Sequence, residues 1–181
     1  MIIIFIIIVG GIYALNNTNQ DDSSSIDSTP SDKWLFAMDT SSASVGSKSA
    51  YSTGYIPTLV VIDHNGNIVH RDAGVHSKQE LIQYIDAINS GTIEFIETAP
   101  DFTLNTFNDQ EFKLSDYKGK IIILDLMAVR CPPCHNQMPE LQGVKEELGN
   151  DVVILSIDVD GAYGMETEQD VIDTFDEYIL L

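Results

Sequence analysis

Residues 120–141 read KIIILDLMAVRCPPCHNQMPEL. Lys120 to Met127 is a near-continuous apolar run, the pattern of a strand buried on both faces. A helix is predicted to start near Pro132 and to run to about Leu148, with Met138, Leu141, Val144 and Leu148 inward and a kink at Pro139. The Cys131-Pro132-Pro133-Cys134 motif therefore stands between a buried strand and a helix N-terminus. A thiolate is the nucleophile of disulfide exchange, and a helix N-terminus lowers cysteine pKa. Both prolines suit a first turn, whose N–H groups lack intrahelical partners. The spacing lets Cys134 resolve a mixed disulfide formed by Cys131. Pro133 removes one N–H that would have stabilised the thiolate, which points to a reductant or exchanger and away from a strong oxidant. Asp125, in the strand, reads either as a strand-end carboxylate in water or as a buried general base. Burial would raise its pKa and let it take the Cys134 proton.

Working outward, residues 151–157 form a second buried strand, and Thr167 caps a last helix bearing Val171, Ile172, Phe175 and Tyr178. Strand, helix, strand implies a parallel βαβ unit. Upstream, 102–114 reads as a hairpin turning near Asn108-Asp109. Residues 34–90 are a second globular stretch, opening with a strand at 34–39. Residues 41–50, rich in small side chains, form a loop or a short helix. Strands at 58–63 and 67–70 flank Asn65-Gly66, a strong hairpin signal. Ser77 and Glu80 then form a capping box for a helix with Leu81, Ile85 and Ile88 on one face, stopped by Gly91. Residues 16–33 are polar and aperiodic and read as a flexible linker. Residues 1–15, MIIIFIIIVGGIYAL, are uncharged and apolar but shorter than the ~20 residues of a usual span. They read as a signal-peptide core or a short membrane anchor.

The net charge is −19, from 28 acidic and 9 basic residues. Such a surface repels nucleic acid and anionic lipid, so nucleic-acid binding is set aside. Two cysteines three positions apart make no disulfide framework and point to redox, metal or haem chemistry. Cys131 to His135 also fits C-x-x-C-H haem attachment, with His135 as axial ligand. A buried strand before the motif and the βαβ frame argue against it. His64, His70 and His76 could join the cysteines in binding zinc but read more simply as surface residues of the second hairpin and its loop. Asp158 to Gly161 hints at a calcium loop, yet Gln169 stands where the bidentate Glu belongs, so it reads as an acidic loop. No metal and no cofactor are expected.

Residues 126–141 are similar to the active-site segment of TlpA-like membrane-anchored thiol–disulfide oxidoreductases. Residues 99–104 and 114–120 resemble the opening of the wider redoxin superfamily. Tyr55-Ile56-Pro57-Thr58, ahead of a strand, resembles the cis-proline loop of the same fold, and Gly74 fits the pattern. The resemblance implies a thioredoxin-like three-layer α/β/α domain with a central mixed sheet. It gives Cys131 the nucleophile role and Cys134 the resolving role, and it matches Asp125 to the buried acid of thioredoxins. It makes Ile56 and a cis Pro57, together with Pro132 and Pro133, the substrate-binding surface. A peroxidase of the superfamily would need Thr where Ala128 stands. Arg130 replaces the usual tryptophan, so a cation near the thiolate is gained and an apolar docking surface is lost.

The two halves stand in reversed order, the cis-proline half at 34–90 before the CPPC half at 97–181. Three arrangements fit: a circular permutant closing its own sheet, which is the structural expectation, a piece of a tandem-domain protein, or a swap between two chains. The expected function is dithiol–disulfide exchange with protein substrates, served by a membrane or soluble redox partner. The expected location is the cell membrane, single-pass, with the domain outside the cytoplasm. The alternative class is an inactive fragment or interaction domain of a tandem thioredoxin-fold protein.

Overall fold

A computed structural model describes residues 34–179. The expected anchor at 1–15 and linker at 16–33 lie outside the described residues. No helix among the described residues is long and apolar enough to cross a membrane.

The apolar run at the centre forms β7 (Ile121–Met127), buried along its whole length. It pairs in parallel with β8 (Val152–Asp158), equally buried, through a ladder from Ile121↔Val152 to Met127↔Asp158. Helix α2 (Pro132–Leu148) makes the crossover between them and runs unbroken through Pro139. On the other side of β7 lies β2 (Thr58–Ile62), antiparallel, with Thr58 opposite Leu126. A tight turn with Gly66 at positive φ leads into β3 (Asn67–Ala73), which pairs antiparallel with β2 and then with the short β4 (Glu97–Thr98). β1 (Leu35–Met38) adds in parallel to β8. The sheet order is β1-β8-β7-β2-β3-β4, a mixed α/β sheet. The strands of both stretches thus pair within one chain.

Alternation along β7 divides the core. Ile121, Ile123 and Met127 face one cluster, shared with α1 (Lys78–Asn89), α2 and α3 (Glu168–Ile179) through Leu81, Ile85, Met138, Leu141, Val171 and Phe175. Ile122, Leu124 and Leu126 face the other, where Val45, Tyr51, Phe102, Phe112 and Tyr117 pack. The three-layer expectation is corrected here. The second outer layer contains no long helix. It is built from the 40–51 segment, with one short 3₁₀ turn at Val45–Ser47, and from the hairpin of β5 (Thr103–Asn105) and β6 (Glu111–Lys113). The small residues of 41–50 lack the apolar stripe a helix needs. That hairpin also guards the β1 edge, since the Phe107 amide donates to the Phe36 carbonyl (2.9 Å).

Helix caps follow the sequence closely. Ser77 and Glu80 form the expected capping box of α1. Thr167 caps α3, its hydroxyl accepting from the Asp170 amide (3.2 Å) while the Asp170 carboxylate accepts from the Thr167 amide (2.8 Å). The histidines differ from expectation. His76 is buried, its ring nitrogen 3.2 Å from that of His70, which stacks on Tyr84 with ring centroids 4.0 Å apart. Burial and then the neighbouring His76 lower the His70 pKa. Two of the three histidines read as surface residues are therefore packed against each other.

Gln137 on α2 is fully buried and serves the loop before α1 as a strand would. Its Oε1 accepts from the His76 amide (2.7 Å), and its Nε2 donates to the His76 carbonyl (3.0 Å). Truncating it leaves both backbone groups buried and unpaired. Gln137→Ala is therefore expected to cost about 2–3 kcal/mol in urea unfolding, with the Cys131–Cys134 disulfide still forming.

Candidate active site

Strand β7 ends at Met127, and three residues later the chain turns into α2 at Cys131, its N-cap. Pro132 and Pro133 occupy the first two helical positions and are exposed. Having no N–H, they leave the Cys134 amide as the first donor of the turn, and it points at the Cys131 sulfur (3.3 Å). The two cysteines are joined as a disulfide with Cα atoms 5.2 Å apart. Cys131 is 7 % exposed and Cys134 is 0 % exposed. Of the two, only Cys131 retains any exposure to solvent.

The Ile56–Pro57 peptide bond is cis. Pro57 directly precedes Thr58, whose register partner is Leu126, so this loop sits at the sheet end from which the cysteine turn departs. Three bonds hold it. The Gly74 amide donates to the Pro57 carbonyl (2.9 Å), the Thr58 hydroxyl donates to the Tyr55 carbonyl (2.6 Å), and the hydroxyls of Thr53 and Thr58 lie 2.6 Å apart. Gly74 has φ of +111°, a conformation that excludes most side chains. Beside the loop opens a groove of about 600 Å³ lined by Gly46, Tyr55, Ile56, Leu126, Val159 and Tyr163. Tyr55 and Tyr163 are largely exposed at its rim. Ile56 packs against both halves of the core, including the cluster that contains the two cysteines.

Asp125 is fully buried and so is not a strand-end carboxylate in water. It shares the β7 face of Ile123 and Met127 and so points toward the α2 side of the sheet, as the cysteines do. The Ser156 hydroxyl, opposite it on β8, donates to Oδ2 (3.0 Å), and the Trp34 indole donates to that hydroxyl (3.0 Å). Oδ1 has no hydrogen-bond partner among the described residues. Burial pushes the carboxyl up to about 7, against the Ser156 hydrogen bond, which favours ionisation.

Two residues differ from their sequence reading. Arg130 does not stand free beside the sulfur. Its Nε donates to Glu166 (3.1 Å) and its Nη2 to the Met165 carbonyl (2.9 Å). Asp158 is no loop residue: it ends β8, fully buried, with Oδ1 accepting from the Gly161 amide (2.9 Å). Glu166 went unrecognised in the sequence because it looks like one acid among many. His135 is exposed, donates from Nε2 to the Val129 carbonyl (2.7 Å) and lies over Phe175. That geometry uses the nitrogen an axial iron ligand would need.

The fold and the site define an α/β protein of thioredoxin-like type with a vicinal cysteine pair at a helix N-terminus. Residues 96–176 match the model of the AhpC/TSA family; the cis-proline stretch lies outside the match. The chain is 30% identical over 81 residues to the thioredoxin-like protein YneN of Bacillus subtilis, covering 44% of this chain and 48% of that protein. It is 35% identical over 63 residues to the thiol-disulfide oxidoreductase ResA of Geobacillus kaustophilus, covering 33% and 36%. It is also 35% identical over 92 residues to ResA of Oceanobacillus iheyensis, covering 46% and 44%. The chain thus spans less than half the length of these relatives. No solved structure matches it significantly.

The Asp125 carboxyl gives the site a pH signature. Its folded pKa lies above the ordinary value of 3.8, so the native state holds a proton that the unfolded chain releases. Stability is full below that ordinary value and falls as pH rises through about 7. Above about pH 7 the burial costs on the order of 4 kcal/mol, part of which a neutral amide recovers. Asp125→Asn is expected to change stability little at acid pH and to raise it by about 2 kcal/mol at alkaline pH, as followed by urea unfolding at both. A variant equally affected at both would show that Asp125 ionises freely in the fold.

Proposed function

We propose that this chain is a thiol–disulfide oxidoreductase acting on protein substrates. The observation that carries the reading is the Cys131–Cys134 disulfide at the start of α2, with one sulfur reachable and the other buried, at the sheet end that also bears the cis Ile56–Pro57 loop. The reduced Cys131 thiolate attacks a substrate disulfide and expels one substrate sulfur as thiolate. The Cys134 thiol, losing its proton, then attacks the Cys131 sulfur of the mixed disulfide and expels the second substrate sulfur. Asp125 is the group suited to take that proton, because its pKa is raised into the neutral range. Run backward, the same steps oxidise a substrate dithiol.

The substrate chain lies along the Ile56–Pro57 loop, which shares its end of the sheet with the turn bearing the exposed Pro132 and Pro133. The free backbone of Ile56 offers an edge to an extended peptide. Tyr55 and Tyr163 flank the path and supply the apolar contact that Arg130 does not. The thiol-disulfide oxidoreductase names of the ResA relatives support the chemistry.

The order of the halves is that of a circular permutant. The sheet closes within one chain although the cis-proline hairpin precedes the cysteine strand. The apolar 1–15 segment supports a membrane-tethered domain outside the cytoplasm, handing electrons to or from a membrane or soluble redox partner.

A redox titration of the full chain, read by thiol trapping, is expected to give one reversible two-electron transition from a monomeric species. Cys131→Ser should abolish exchange with a disulfide substrate, and Cys134→Ser should accumulate the mixed disulfide. A chain that forms no reversible disulfide would sink the oxidoreductase reading. A transition that appears only in a dimer would replace self-closure by a swap between chains.

A further inference from the structure

The loop that carries Cys131 away from β7 hangs on one carboxylate. Glu166, whose side chain is 3 % exposed, reaches in from the turn before α3. Its Oε2 accepts from the Val129 amide (2.8 Å), and its Oε1 accepts from the Arg130 amide (3.1 Å) and from Arg130 Nε (3.1 Å). These are the two residues immediately before the reactive cysteine. Fork-like capture of consecutive amides by an ionised carboxylate is stronger than a neutral hydrogen bond and fixes direction as well as distance. We propose that Glu166 is a positioning residue for Cys131: it clamps the Val129–Arg130 backbone and neutralises Arg130, and so sets the aim and the electrostatic field of the Cys131 sulfur. The proposal rests on the oxidoreductase reading above.

The surroundings favour an ionised Glu166. Burial works against its charge, but the Asp158 carboxyl beside it and the donors from Val129 and Arg130 outweigh that and hold its pKa below the ordinary value. Asp158 takes the opposite state: burial first, then Glu166, push it up to about 7. Two carboxyls crowded together share their proton unequally, and here it resides on Asp158. Other charged or titratable groups near the clamp are His135 on the first turn of α2, Asp160 after β8 and Asp170 in the first turn of α3. Arg130 alone would favour a Cys131 thiolate. Paired with Glu166 it contributes little net charge, so the helix N-terminus and the Cys134 amide remain the main supports of that thiolate.

Two substitutions separate field from mere structure. Glu166→Gln removes an anion and frees the Arg130 cation, so it should lower the Cys131 pKa. Arg130→Met removes the cation and leaves the anion clamped to both amides, so it should raise it. The measurement is the rate of Cys131 alkylation by iodoacetamide against pH in a Cys134→Ser background of the full chain. The expected profiles move in opposite directions, each by about half a pH unit or more. Glu166→Gln in the otherwise native chain should also slow exchange about tenfold after correction for thiolate fraction, because the loosened loop aims the sulfur poorly. Profiles that coincide with the unsubstituted one, or that move the same way, overturn the proposal. If Glu166→Gln does not fold, Arg130→Met keeps both backbone bonds and decides through the direction of its shift. Alkylation needs no turnover. A parent chain without exchange activity therefore counts against the oxidoreductase reading, while the profiles still judge Glu166.

Discussion

The register of one parallel ladder governs the site. Because Ile121 faces Val152 and the pairing runs without a bulge, Asp125 must face Ser156 and Met127 must face Asp158. Both strands are buried on both sides, so any acid in them is taken out of water. One acid lands in mid-strand, under the helix side of the sheet, and is served by a hydroxyl. The other lands at the strand end, against the loop that leads to Cys131. A slip of one residue would turn Asp125 to the opposite face, toward Ile122 and Leu124, and would separate Asp158 from Glu166. The chemistry at the helix start is thus a consequence of sheet alignment several residues away.

The second constraint is that β2 runs antiparallel to β7. The start of one strand then meets the end of the other, and the cis-proline loop and the cysteine turn emerge at the same rim of the sheet. Neither stretch of chain carries this surface alone. The hydroxyls of Thr53 and Thr58 and the amide of Gly74 fix the proline side, while Glu166 fixes the cysteine side. The groove beside the proline loop is lined from both stretches, by Gly46, Tyr55 and Ile56 of one and by Leu126, Val159 and Tyr163 of the other.

What was legible in the sequence was local. The apolar run of 120–127, the Asn65-Gly66 turn, the Ser77 and Thr167 caps and the helix opening at Pro132 each follow from contacts within a few residues, and their boundaries were met closely. Cys131, Cys134, Pro132 and Pro133 lie in one unbroken motif and were legible for the same reason. The cis Ile56–Pro57 bond was legible only through resemblance, since an X–Pro dipeptide alone does not specify its isomer. What escaped were side chains whose partners are remote. Gln137 binds the His76 backbone 61 positions away, and Glu166 binds Val129 across 37. Glu166 and Asp158 were hidden by abundance, as two carboxylates among 28 acidic residues. The second outer layer was not legible, because the 40–51 segment, with no apolar period, still packs Val45 and Tyr51 fully into the core.

The edge strand β1 has a consequence for the time course of folding. Trp34, just before it, bonds to Ser156, 122 positions along the chain, and the strand's ladder runs along β8, with a single bridge from Ala37 to Thr106 on the other side. The hairpin of β2 and β3, by contrast, closes over a few residues. Loop-closure entropy rises with the separation of the ends, and contacts far apart in sequence form late. On that ground the hairpin and the β7–α2–β8 unit, each built from neighbours, are expected to assemble first, and β1 to dock onto a sheet already built. Until it docks, the indole is missing from the Ser156 hydroxyl, and the hydroxyl is free to turn from Asp125. In that order the buried acid gains its final hydrogen-bonded surroundings, through Ser156 and Trp34, after the disulfide-bearing turn has formed.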